Sequence, residues 1–170
     1  MSLTMSQLSV PAFVRGLKIL STLLEKGEQH AAQAGVDPAA MLGARLIDDM
    51  LPLSAQVQRA SDTAKFTIQR ISAGEAPKFA DDETSFAELQ TRIANTIAYL
   101  ESADKAALDA GAEREITLNW GANGGTFTGQ SYLLGFALPN FYFHIVTAYD
   151  ILRQQGVKIG KLDYLGPFGK

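Results

Sequence analysis

Apolar residues recur at steps of three and four along most of the chain. From Ser6 to Gln33 they fall at Leu8, Phe13, Leu17, Leu20, Leu24 and Ala31, which places them on one side of a helix. Pro11 is tolerable near the start of this first long helix, and Gly35 ends it. Asp37 and Pro38 have the chemistry of a cap and first turn, predicting a short helix through about Leu46. After the joint RLIDDMLPL, Pro52 opens a second long helix running to Ser72, with Val57, Ala60, Ala64, Ile68 and Ile71 inward and Gly74 as its stop. The polar stretch GEAPKFADDE leads to Thr84 or Ser85 as the cap of a third, whose stripe is Phe86, Leu89, Ile93, Ile97 and Leu100. Glu88 stands where a capping-box partner of Ser85 belongs.

Past Ser102 the period changes. REITLNW alternates Ile116, Leu118 and Trp120 with polar neighbours, and GANGG separates it from TFT, predicting a small hairpin. Thr128 then caps a last helix to Gln155, bent at Pro139 and closed by Gly156. The tail VKIGKLDYLGPFGK has too many glycines for a helix and is expected to dock through Tyr164, Leu165 and Phe168. Four long helices plus a hairpin make an all-α bundle, one domain over residues 1–170.

Composition narrows the function classes. A chain of 170 residues, 46% hydrophobic, can bury about 70% of its unfolded surface in one core. The net charge of -3 and the absence of a basic run argue against nucleic acid as a partner. With no cysteine, a metal would have to use imidazole, carboxylate, amide or water. The first residues lack the pattern of a signal peptide and no apolar run is long enough for a bilayer, so a cytoplasmic protein with no membrane partner is expected.

Candidate chemistry centres on LPNFYFHIV. Asn140 and His144 are spaced i, i+4, so their side chains can converge, and Phe136, Phe141, Phe143, Ile145 and Val146 leave little of the segment facing water. His144 is either a neutral core histidine satisfied by Asn140 or by a group on the second long helix, or a contact for a substrate or metal. Asp48, Asp49, Gln56 and Asp62 are the opposing candidates, each with a plainer reading. For the first two that is capping or pairing with Arg45; for the others it is a solvent-side position near Arg59 or Lys65. Tyr142 and Tyr149 lie seven apart on one face and are candidates to line a cavity, although aromatics at that spacing usually belong to a core. His30 sits in the charged segment EKGEQH and is expected to be solvated. GANGG reads as a turn instead of a phosphate loop, and neither H-E-x-x-H nor G-x-S-x-G is present.

The order of elements, with a hairpin before a helix reading N-x-x-x-H and then ILRQQGV, resembles the DinB-like (DinB/YfiT-like) superfamily of four-helix putative metalloenzymes. RLIDDMLPL, LPNFYFH, AYDILRQQGV and KLDYLG together resemble its branch of bacterial proteins of unknown function. The resemblance implies an up-down-down-up bundle, often a homodimer, with a cleft that holds a divalent metal (zinc, nickel or manganese) on three histidines. Some such relatives are thiol-dependent transferases or isomerases. Aligned on that pattern, H-x-x-x-H-x-G-Q, the second histidine is His144, the first is replaced by Asn140, and Val146 and Thr147 stand for the glycine and glutamine. The third ligand would come from the second long helix, which has no histidine; Gln56 is the nearest equivalent. The expectation is a lost or degenerate metal centre, more readily without metal than with one, whose cleft takes a small molecule at His144, Asn140, Gln56 and Tyr142. The alternatives are a metal-dependent enzyme using His144 and Asn140, and a structural or interaction protein acting as a homodimer.

Overall fold

The computed structural model describes residues 3–119, 121 and 124–167. Helix α1 spans Met5–Ala34, opened by a capping box between Thr4 and Gln7 and closed by Gly35 in the left-handed conformation. Asp37 caps the short α2, Pro38–Gly43, which ends earlier than the sequence suggests. Helix α3 is Leu53–Ser72, with Pro52 at its N-cap and Ala73, at φ 57°, taking the left-handed position that Gly74 was expected to hold. Helix α4, Phe86–Glu101, begins at Ser85, whose capping box with Glu88 forms as its spacing predicts.

A short helix α5, Lys105–Ala110, capped by Asp104, was not foreseen; six residues are too few to display a period. Strands β1, Glu115–Leu118, and β2, Gly125–Thr128, pair antiparallel with Ile116 opposite Phe127. Trp120 and part of the GANGG turn lie outside the described residues, as does Phe168. The expected single last helix is three pieces: α6, Gly129–Tyr132; a π-helical segment, Leu133–Ala137; and α7, Leu138–Gln154. Pro139 falls in the first turn of α7, so the wide turn before it absorbs the break that its missing amide would otherwise impose.

The tail is a correction. Despite its glycines, Lys161–Leu165 forms a helix, α8, because Asp163 accepts from the Gly160 amide at 2.7 Å and pairs with Lys26 at 2.5 Å. Tyr164 then packs edge-on against Tyr149.

Side-chain neighbours give the helix directions. A Cβ on Gly16 would meet Phe141 and one on Gly27 would meet Leu152, so α1 and α7 run the same way. Ser21 bonds to Gln90 and the position of Gly27 faces Phe86, so α4 opposes α1; α3 opposes α7, with Gln56 at His144 and Thr63 at Asn140. The bundle is therefore up-down-down-up. The crossover at residues 73–85 carries the chain back along the bundle so that α3 and α4 can be parallel. A continuous core built on Phe13, Leu17, Leu24, Val57, Leu89, Phe141 and Leu152 fills the centre. Among the described residues, no helix is long and apolar enough to cross a membrane.

Candidate functional site

The face shared by α3 and α7 carries the polar residues singled out in the sequence. On α3, Gln56 and Thr63 stand two turns apart; on α7, Asn140 and His144 stand one turn apart and meet them in antiparallel order. The Asn140 amide Nδ2 donates to Thr63 Oγ1 at 2.8 Å, and that hydroxyl donates to the Arg59 carbonyl at 2.7 Å. Gln56 is buried, not on the solvent side, and its Nε2 donates to the Leu51 carbonyl at 2.9 Å. Its Oε1 is thereby turned toward His144 Nδ1, 2.7 Å away. An amide oxygen only accepts, so the imidazole carries its proton on Nδ1 and leaves Nε2 as a bare lone pair.

Asn140 and His144 thus do not converge on one point: each is engaged by its own α3 partner, and Gln56 meets His144 as the group that fixes its ring. Tyr142 is not brought to either. It is 37% exposed and lines a separate cleft of about 170 Å³ with Arg15, Ile19 and Tyr164, on the side of α7 facing α1 and α8. Phe143 and Val146 also face out, 54% and 39% exposed, so more of this segment meets water than its run of apolar residues suggests. Asp48 and Asp49 are exposed in the joint before α3; among the described residues neither pairs with Arg45, which donates instead to the Met50 carbonyl. His30 is half-buried, near Gly156.

Burial, reinforced by the nearby Arg59 charge, pushes the His144 pKa down from 6.5 to about 4. Its consequence for stability has a definite sign. Between pH 6.5 and about 4 the unfolded chain takes up a proton on this imidazole and the folded protein does not, so stability is full above pH 6.5 and falls on acidification through that window. Allowing for solvent at the ring's edge, the loss is on the order of 2 kcal/mol. Urea unfolding at stepped pH should show this slope in the wild type and a flatter one in His144→Gln; equal slopes would mean that His144 is not held neutral.

The larger electrostatic feature was not read from the sequence. Asp62, taken there as a solvent-side residue, is drawn into an ion network because Arg92 lies on the buried side of α4. The Arg92 guanidinium, 2% exposed, donates to Ser61 at 3.1 Å, Asp62 at 2.7 Å, Asp81 at 2.6 Å and Glu83 at 2.8 Å. Lys65, 3% exposed, adds a contact to Asp62 at 2.9 Å, and Arg59 reaches both Asp62 and Asp81. The Lys65 and Arg92 cations both lie against the Phe79 ring. Partial burial raises the Asp81 and Glu83 pKa values, but the bonds to Arg92 outweigh it and hold both below the carboxylate range. The signal in the sequence was Arg92 itself: it follows Leu89 by three on the buried stripe, and a charge there demands partners.

Between this network and α7 lies a cleft of about 240 Å³, lined among others by Arg59, Thr63, Phe66, Arg70, Tyr132 and Asn140. A three-histidine divalent centre does not fit the donors here. Among the described residues the only imidazole on this face is His144, the Gln56 amide is bonded at both ends, and the Asp62 carboxylate is taken up by three cations, so only His144 Nε2 and the Asn140 oxygen are left as donors. No group of three or more histidine, aspartate or glutamate residues is placed to hold a metal among the described residues.

A family model described as a domain of unknown function, DUF1993, matches residues 5–165. No curated protein matches. The crystal structure of a DinB family member protein from Shewanella denitrificans superposes with a TM-score of 0.88 at 40% identity, covering 97% of this chain and 93% of that one. With the family match spanning nearly all of an up-down-down-up bundle, and a DinB family member sharing its fold and two-fifths of its sequence, the chain belongs to the DUF1993 family and is a DinB-like protein.

Proposed function

We propose that this protein binds a small molecule in the cleft between α3 and α7, having lost the divalent-metal centre of the wider superfamily. The observation that carries this reading is the pairing of Gln56 with His144 and of Thr63 with Asn140. Gln56, where the third ligand would stand, is spent on fixing the His144 ring, Asn140 turns its amide to Thr63, and the Arg59 guanidinium adds a positive charge that opposes a cation beside the His144 lone pair that remains. An open cleft with polar groups and aromatic walls adjoins that locked pair, the kind of surface on which small ligands bind.

The test compares wild type with His144→Ala, purified without chelator. Elemental analysis and titration with zinc, nickel and manganese should find no stoichiometric metal in either protein. A fragment screen followed by amide chemical shifts should give hits concentrated on α3 and residues 132–144. One equivalent of metal in the wild type, lost in His144→Ala, would instead support the metal-dependent enzyme, and a thiol-transfer assay would follow. Hits scattered over the surface would remove the cleft as a binding site.

A further inference from the structure

The cations around the cleft are unequally matched. Arg59, Lys65 and Arg92 each meet carboxylates. Arg70 meets none among the described residues: its Nη1 donates to the Tyr132 hydroxyl at 2.7 Å, and its guanidinium lies over the rings of Phe66 and Tyr132, 5.4 and 5.7 Å from their centres. A guanidinium offers five N–H donors in a planar fork, and this one spends a single donor among the described residues. Asn140, on the same wall, has its carbonyl oxygen and one amide hydrogen left after bonding Thr63. The Asp62 carboxylate, which also borders the cleft, is already shared by Arg92, Lys65 and Arg59. The unbalanced charge on this wall is therefore positive, held half-buried against aromatic rings.

Size restricts what can use it. An apolar cavity of about 150 Å³ holds one benzene ring, so about 240 Å³ accommodates a ring with one small substituent. Resting on the small-molecule reading of this cleft, we propose that its ligand class is a small planar carboxylate, the carboxylate on the Arg70 fork and the Asn140 amide and the flat body against Phe66. A carboxylate matches a guanidinium fork bidentately, which a neutral amide of the same shape cannot do.

Benzoate and benzamide make the comparison, each titrated into the isotope-labelled full chain at constant ionic strength. Benzoate should shift the amides of α3 and residues 132–140 saturably and bind about tenfold or more tightly than benzamide. Arg70→Gln should weaken benzoate about tenfold and leave benzamide within about twofold. Because that variant also removes the partner of the Tyr132 hydroxyl, Arg70→Lys serves beside it, keeping the charge and losing the fork; it should fall between wild type and Arg70→Gln. Benzamide binding the cleft as tightly as benzoate would overturn the carboxylate assignment while supporting the cleft. Benzoate shifting these amides equally in all three proteins would overturn it through Arg70. Neither compound shifting them would overturn it too, and the fragment screen would then decide the cleft reading separately.

Discussion

Arg92→Met is expected to lower the unfolding free energy by about 3–5 kcal/mol, measured by urea denaturation at neutral pH. Methionine fills similar space, so the loss is not a cavity effect. It arises because Asp62, Asp81 and Glu83 all direct carboxylate oxygens at this one guanidinium, and two of those side chains, Asp62 and Glu83, are only 13% and 11% exposed. Lys65 and Arg59 would still answer Asp62, but among the described residues Glu83 would keep only the Gln58 amide as a side-chain partner. The crossover at residues 73–85 should loosen first, since Phe79, Asp81 and Glu83 anchor it, and Asp81 sits at φ 58°, a conformation its ion pairs help hold. Faster hydrogen exchange confined to that crossover would accompany the loss. Glu83→Gln combined with Arg92→Met should cost less than the sum of the two, because the second change removes a charge the first has orphaned. A drop below about 1 kcal/mol for Arg92→Met would show that the buried network adds nothing over an apolar contact, an outcome known for some buried ion clusters.

Gly129→Ala should cost about 3 kcal/mol or more. Gly129 begins α6 directly beneath the backbone that follows α5, and a Cβ there would run into the carbonyl oxygen of Gly111, a main-chain atom that no rotamer change can move. Gly111 is in turn pressed on the Ile71 carbonyl at the end of α3, so the two glycines form a stack of backbone joining α3, α5 and α6. The Gln130 amide donates to the Ala112 carbonyl at 2.8 Å and the Arg114 guanidinium to that of Ile71 at 2.9 Å, which fixes the stack and with it the entry of the chain into the site-bearing helix. Gly135→Ala is the control. Nothing lies within 4 Å of its added Cβ, so it should be neutral or gain up to about 1 kcal/mol. Equal effects of the two changes would mean that the close approach at Gly129 relaxes without cost.

Resemblance to a known superfamily and local chemistry carried most of the fold. The helices with sustained apolar stripes were legible because their signals are local: Ser85 with Glu88 and Thr128 as a cap each act within one turn, while the equally local box of Thr4 with Gln7 was passed over. Two of the short helices, α5 and α8, were not. Helix α5 spans too few residues for periodicity, and α8 depends on Lys26, a residue 137 positions away from its partner Asp163. The π-helical turn before Pro139 was read only as a bend, since the sequence places the proline but not the way the backbone accommodates it.

The sequence by itself determined that the candidate polar residues lie on α3 and α7, that one histidine stands where the superfamily pattern has two in the last helix, and that no cysteine can replace the missing ligand. Only the tertiary structure decided what those residues do with one another. The antiparallel register of α3 against α7 sets Gln56 beside His144 and Thr63 beside Asn140, a pairing across 88 and 77 positions of chain that no local pattern encodes. The docking of α4 likewise turned Arg92 inward upon three carboxylates, while Arg70 meets none among the described residues. The physical reason is that a buried charge or amide must find its complement wherever the packing of helices puts it. Spacing along one helix says which face a side chain shares, while the partner on the facing helix is fixed only when the helices dock.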